Sequence, residues 1–80
     1  MIKVAINQPA VEVAIARRNL SLKTLAYEMG VSRYYLGRIL SGKIEPSAAI
    51  RQRLLDYFKG YTFDDLFILD GNGKDGRTQD

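Results

Sequence analysis

The sequence predicts an all-α domain: five compact, short helices around one core, with a small two-strand pairing of its ends. Three observations carry that prediction. Apolar residues recur at helical spacing in successive short stretches. Polar capping residues stand before these stretches, and Gly30, Gly42 and Gly60 follow three of them. Eighty residues suffice for a single core, burying roughly 60–65% of the surface an unfolded chain exposes, and leave no room for a second.

Taken in order, Ile2, Val4 and Ile6 alternate with Lys3, Ala5 and Asn7, the period-two pattern of a half-buried strand. A strand needs a partner, and Phe67-Ile68-Leu69 is the other β-prone stretch, so the two ends are expected to pair. Asn7 suits an N-cap and Pro9 falls in the first turn, where its missing N–H costs nothing, so a helix is expected over about 8–19. Its apolar stripe is Val11, Ala14 and Ile15, running on toward Arg18 and Leu20. Ser21 caps the second helix, whose Leu22, Leu25, Ala26 and Met29 share one face and which stops at Gly30.

Ser32 starts the third helix, with Leu36, Ile39 and Leu40 inward and Gly42 closing it. Pro46 and Ser47 open the fourth, with Ile50, Leu54, Leu55 and Phe58 on one side and Gly60 at its end. Thr62 caps a final turn over 63–67, and Asp64 and Asp65 lie in that first turn, where the helix dipole favours acids. The domain is thus expected over residues 1–69. Residues 70–80, with three glycines and no apolar side chain, read as a solvated acidic tail that cannot repay its ordering entropy.

Composition excludes more than it names. There is no histidine and no cysteine, which removes the commonest general base, the thiolate nucleophile, the usual zinc ligands and any disulfide. The adjacent carboxylates of Asp64 and Asp65 splay apart on a helix, and no phosphate-binding glycine loop or nucleophile elbow is present. The run from Asp70 to Asp75 lacks the acid spacing and closing glutamate of a calcium loop. No enzyme activity, cofactor or metal is therefore expected. No apolar run reaches the ~20 residues a membrane span needs, and the start lacks the order of a signal peptide, so a cytoplasmic protein with no membrane partner is expected.

The net charge of +3 is unevenly spread. Residues 1–60 hold ten Lys and Arg against four acids, a balance of +6, and residues 61–80 hold two against five, a balance of −3. The positive potential belongs to the front of the chain.

The most informative stretch is residues 21–46. Two helices of about eight residues joined by Gly30-Val31-Ser32 match the helix-turn-helix arrangement over about 21–41. Ala26 is small enough for a close helix crossing, Gly30 permits the turn, Val31 plugs the angle, and Leu36 and Ile39 lock the second helix to the core.

The pattern Leu25-Ala26-x-x-Met29-Gly30-Val31-Ser32, then Leu36-x-x-Ile39-x-x-Gly42-Lys43-x-x-Pro46, then Tyr61-Thr62-Phe63-Asp64-Asp65-Leu66 resembles the lambda-repressor-like helix-turn-helix domains of the XRE type, which include phage repressors and Cro proteins. The likeness covers roughly residues 8–67. It implies a five-helix DNA-binding fold whose third helix, here about 32–41, is the recognition helix. It also implies a sequence-specific transcription regulator of phage or mobile-element type. Antitoxins share the fold, so a protein-interaction module with weak DNA binding is the alternative.

Two places depart from the family pattern. Where relatives often carry a glutamate before the Ser-Gly that ends the recognition helix, paired with an arginine on helix 1, this chain has Leu40 and Ile15. Both partners are apolar together, an exchange that is often neutral or stabilising. Leu22 stands where many relatives carry a polar residue that touches phosphate.

With Leu36, Ile39 and Leu40 inward, the recognition helix turns Arg33, Tyr34, Gly37, Arg38 and Ser41 outward, with Tyr35 at the flank. An arginine can hold guanine O6 and N7 together, worth ~1–3 kcal/mol of discrimination. Together with the positions that meet bases in the family, this gives Arg33, Tyr34 and Arg38 as expected base contacts. Tyr34 would pack on a thymine methyl or donate its hydroxyl to phosphate. Ser21, Lys23, Ser32, Tyr35 and Lys43 are the expected backbone contacts, the serines being helix caps first. Tyr27 reads as a half-buried core edge, and Arg17, Arg18, Arg51 and Arg53 as surface charges. A recognition helix covers only about 4–5 base pairs, so a homodimer on paired half-sites is expected, paired through the helix 4 to helix 5 region or the terminal strands. No small-molecule effector is implied.

Overall fold

The structure, a computed structural model, describes residues 2–70. The expectation for residues 71–80 lies outside the described residues. The chain runs β1 (Lys3–Ile6), α1 (Gln8–Arg17), α2 (Leu22–Met29), α3 (Arg33–Leu40), α4 (Ala48–Tyr57), α5 (Phe63–Leu66) and β2 (Phe67–Asp70).

Each helix begins where its sequence supplies an acceptor. Asn7, Ser21, Ser32, Ser47 and Thr62 all occupy N-caps and take the N–H of the residue three further on. At Thr62 the bond is reciprocal, because the Asp65 carboxylate accepts the Thr62 N–H at 2.8 Å, completing a capping box.

Helix ends follow a repeated device. After α2, Gly30 is left-handed at φ 76°, and the Val31 N–H reaches back to the Ala26 carbonyl at 3.0 Å. After α3, Gly42 at φ 83° lets the Lys43 N–H reach Arg38 at 2.9 Å. These are Schellman closures, which satisfy carbonyls that the helix leaves open. The same closure ends α1 at Arg17 and not at residue 19. Asn19 takes φ 55°, and the Leu20 N–H bonds to Ile15 at 3.1 Å. Asparagine tolerates that conformation better than other side chains do, so it ends this helix as glycine ends the next two. Pro46 precedes the Ser47 cap as a buried residue and is not part of α4.

The core draws on every element: Ile6, Val11 and Ala14, then Leu25, Ala26 and Met29, then Leu36, Ile39 and Leu40, and finally Ile50, Leu54, Phe58, Leu66 and Phe67. Ile15, Leu22 and Leu55 pack against it half-buried. No polar or charged residue is buried among the described residues. Arg18, placed at the end of the α1 stripe from sequence, is exposed. Its guanidinium lies over the rings of Tyr57 and Phe58, 5.6 and 5.3 Å from their centroids. A charged head that cannot be buried covers apolar rings from outside.

The expected pairing of the two ends is present. β1 and β2 form an antiparallel pair in the register Lys3↔Asp70, Val4↔Leu69, Ala5↔Ile68, Ile6↔Phe67, so the strand extends to Asp70, one residue past the domain boundary expected from sequence. The Asn7 N–H continues the ladder to the Leu66 carbonyl at 2.8 Å. Both ends of the domain are tied into one unit, and α2 and α3 pack directly on each other in front of it.

Candidate nucleic-acid interface

The second helix of the α2–α3 pair is held by three buried side chains, Leu36, Ile39 and Leu40. Its outer side is correspondingly fixed. Arg33 and Tyr34 are exposed, Tyr34 by 74%, and Arg38 lies one turn beyond. Arg38 and Tyr34 form a unit: the guanidinium carbon sits 5.6 Å from the ring centroid and Nη1 donates to the Tyr34 hydroxyl oxygen at 3.4 Å. The spacing i, i+4 puts the two side chains side by side on the helix surface.

Around this helix the charge has one sign. Residues 29–44 contain Arg33, Arg38 and Lys43 and no acid. The nearest flanking acids are engaged elsewhere. Glu28 accepts the Tyr57 hydroxyl at 3.1 Å, and Glu45 accepts the Val4 N–H at 2.9 Å. Lys23, in the first turn of α2, and Lys43, just past Gly42, are both exposed. This is a core-anchored helix with an arginine and tyrosine surface, flanked by exposed ammonium groups and two helix N-termini, a combination suited to a polyanion with readable edges.

The Ser21 and Ser32 hydroxyls are committed to capping. Ser21 Oγ accepts from Thr24 N–H at 3.0 Å and donates to the Thr24 hydroxyl at 2.9 Å, while Ser32 Oγ accepts from Tyr35 N–H at 3.0 Å. What these caps present outward is chiefly the first-turn N–H groups of α2 and α3. Tyr35 is half-buried and packs against the core, so its ring stabilises α3 from the flank.

The helix-turn-helix family model matches residues 12–66, most of the described domain. The chain belongs to the helix-turn-helix family, of the XRE type. It is 35% identical over 68 residues to the uncharacterized HTH-type transcriptional regulator YvzC of Bacillus subtilis (strain 168), covering 85% of this chain and 87% of that protein. No solved structure is a significant match. Members of this family are DNA-binding transcription regulators, generally without enzymatic activity. Among the described residues no helix is long and apolar enough to cross a membrane.

The surroundings of several side chains in this helix-turn-helix domain match the apolar stripes for some and correct the sequence reading for others. Ile15 and Leu40, in place of a charged pair, both join the apolar core. Leu22 lies over α3, where a Cβ built on Gly37 would stand 3.7 Å from Leu22 Cδ2. An apolar residue at that position closes the α2–α3 crossing, and the 3.7 Å distance is ordinary van der Waals contact, so a methyl at 37 would fit there.

Arg18 and Arg53 are not idle surface charges. Arg18 Nη1 donates to the Tyr57 carbonyl and Arg53 Nη1 to the Met29 carbonyl, each at 3.0 Å, so each arginine caps the last turn of a different helix. Tyr27 corrects the sequence reading in the other direction. It is 84% exposed, not a half-buried core edge. Lys23 and Tyr27 are four residues apart on the solvent side of α2, opposite the stripe of Leu22, Leu25, Ala26 and Met29. A helical wheel signals this, since Tyr27 lies well outside the arc spanned by those four.

Away from this face, the Tyr57 hydroxyl is held above the ordinary tyrosine value of 10.0. Desolvation contributes most, followed by its hydrogen bond to Glu28 and the charge of Glu28, against a smaller opposing effect of Arg18.

Proposed function

We propose that this chain is a sequence-specific, double-stranded DNA-binding transcriptional regulator that places α3 in the major groove as a homodimer. The observation that carries the reading is the one-sided build of α3. Its inner face is locked by Leu36, Ile39 and Leu40, and its outer face offers Arg33, Tyr34 and Arg38 in a stretch free of acids. Arg33 and Arg38 read guanine edges, and Tyr34 meets a thymine methyl or a phosphate while flanking Arg38. Lys23, Lys43 and the capped N-termini at Ser21 and Ser32 set the domain on the phosphates, with Tyr35 at the flank. The likeness to phage repressors and Cro proteins favours a regulator of phage or mobile-element type. A DNA partner supports a cytoplasmic location, and the reading involves no small-molecule effector.

The test is a titration of the purified protein against its own upstream DNA and against random duplex, over a series of salt concentrations. Binding falls with salt at a log–log slope of about −0.9 per phosphate neutralised. Arg33→Ala and Arg38→Ala relax preference at one base position per half-site, whereas Lys43→Ala weakens all sequences alike. Equal losses on operator and random DNA for all three would contradict these roles. Absence of any salt-sensitive binding would leave the second reading, a protein-interaction module of antitoxin type. The exposure of Tyr27 and Tyr34 is the observation that favours that alternative.

A further inference from the structure

We infer that the outer edge of β2 is the surface through which two copies of this chain pair, in an antiparallel β2–β2 contact centred on Leu69. The inference deepens the homodimer reading above by naming its interface.

Three of the six large apolar side chains that the described residues leave exposed lie on or beside the small sheet: Ile2 at 65%, Ile68 at 51% and Leu69 at 56%. The two tyrosines among the others belong to the α2–α3 face. A two-stranded sheet of four-residue strands with this much apolar surface in water is unusual unless it is covered.

The backbone shows which edge is open. The bond from Asn7 N–H to the Leu66 carbonyl fixes the phase of the ladder, so Lys3, Ala5 and Asn7 of the first chain segment bond inward. Val4 on one strand and Leu69 on the other therefore direct their N–H and C=O groups away from the pair. The Val4 N–H is closed by the Glu45 carboxylate at 2.9 Å, a charged guard on the β1 edge. Neither backbone group of Leu69 has such a guard among the described residues.

A second copy fits this edge better than another strand does. Antiparallel pairing of a strand with itself is two-fold by construction, the symmetry of an isologous dimer. With Leu69 opposite Leu69 of the second copy, Val4 and Leu69 of each chain line up as one apolar row across four strands, on the side that carries Ile6 and Phe67. On the other side each Asp70 stands between its own Lys3 and Ile68 of the second copy, so no two like charges face one another. A four-residue edge buries well below the ~800 Å² per partner of a standard interface. The free dimer is accordingly weak and is completed on DNA, where two half-sites hold both copies.

Sedimentation equilibrium of the full chain, from micromolar to millimolar concentration, tests this with two variants. Leu69→Pro removes an N–H that makes no bond among the described residues, and Leu69→Lys places a charge in the apolar row. Both keep the circular dichroism of the folded domain, and both weaken self-association by ~10-fold or more, which corresponds to about 1.4 kcal/mol. On DNA they bind a single half-site as the parent does and lose the cooperative filling of two. A parent that stays monomeric both free and on DNA overturns the inference, as does a dimer that neither substitution weakens, or an edge that takes up only a different protein. Self-association that depends on Leu69 without any DNA binding supports the interface and refutes the regulator reading, so the two fail separately.

Discussion

Replacing Tyr34 tests how the recognition helix prepares Arg38. In the free protein the Arg38 guanidinium already lies over the Tyr34 ring, 5.6 Å from its centroid, with a 3.4 Å bond to the hydroxyl. An exposed cation–π contact is worth about 0.5–1 kcal/mol. Immobilising a rotamer-rich side chain on binding costs about 0.5–1.5 kcal/mol, part of which the ring has already met. Tyr34→Ala removes that restraint and should therefore weaken binding through Arg38 by about 0.5–1.5 kcal/mol per half-site, or roughly 2- to 12-fold. Tyr34→Phe keeps the ring and loses the hydroxyl with its long bond to Arg38, so it should retain most of the parent affinity where the ring packs on a thymine methyl and lose more where the hydroxyl meets a phosphate. Arg38→Ala alone should cost ~1–3 kcal/mol at its guanine position. In a double-mutant cycle measured by fluorescence anisotropy, Tyr34→Ala should then cost markedly less in an Arg38→Ala background. Strict additivity on a guanine-containing site, or an equal coupling on a site without that guanine, would refute the coupling between the two side chains.

Other consequences follow from contacts remote from α3. Arg53→Ala frees the Met29 carbonyl at the end of α2 and should lower stability by about 0.5–1.5 kcal/mol, a fall of several degrees in Tm for a domain of this size. Its salt slope on DNA should not change; a slope reduced by one at unaltered Tm would make Arg53 a phosphate contact instead. Tyr57 binds its proton more tightly folded than unfolded, so its contribution to stability is full below pH 10.0 and is lost as pH rises through the higher folded value. The stability difference between the parent and Tyr57→Phe should shrink over that alkaline range in denaturant titrations, and a difference independent of pH would rule the linkage out.

What could be read before folding, and what could not, divides by distance along the chain. Caps and stops are local. Asn7, Ser21, Ser32, Ser47 and Thr62 bond to a residue three positions on, and Gly30 and Gly42 close the turn they follow, so residue identity and spacing suffice to place all five helices. The end of α1 lies two residues before the pattern's own end because Asn19 serves equally as a helix residue and as a left-handed stop, and the bond from Leu20 to Ile15 distinguishes them.

Helix order, the apolar stripes and the α2–α3 turn are written locally in the chain, because each depends on propensity and period over a few residues. Which charges and rings are available to a partner depends on packing between elements distant in the chain. Arg18 and Arg53 are occupied by carbonyls 39 and 24 residues away, and Glu45 by an N–H 41 residues away, while Tyr27 stands exposed. A long side chain meets whichever helix end the packing brings near. Its partner is a property of the assembled core, and no local pattern encodes it.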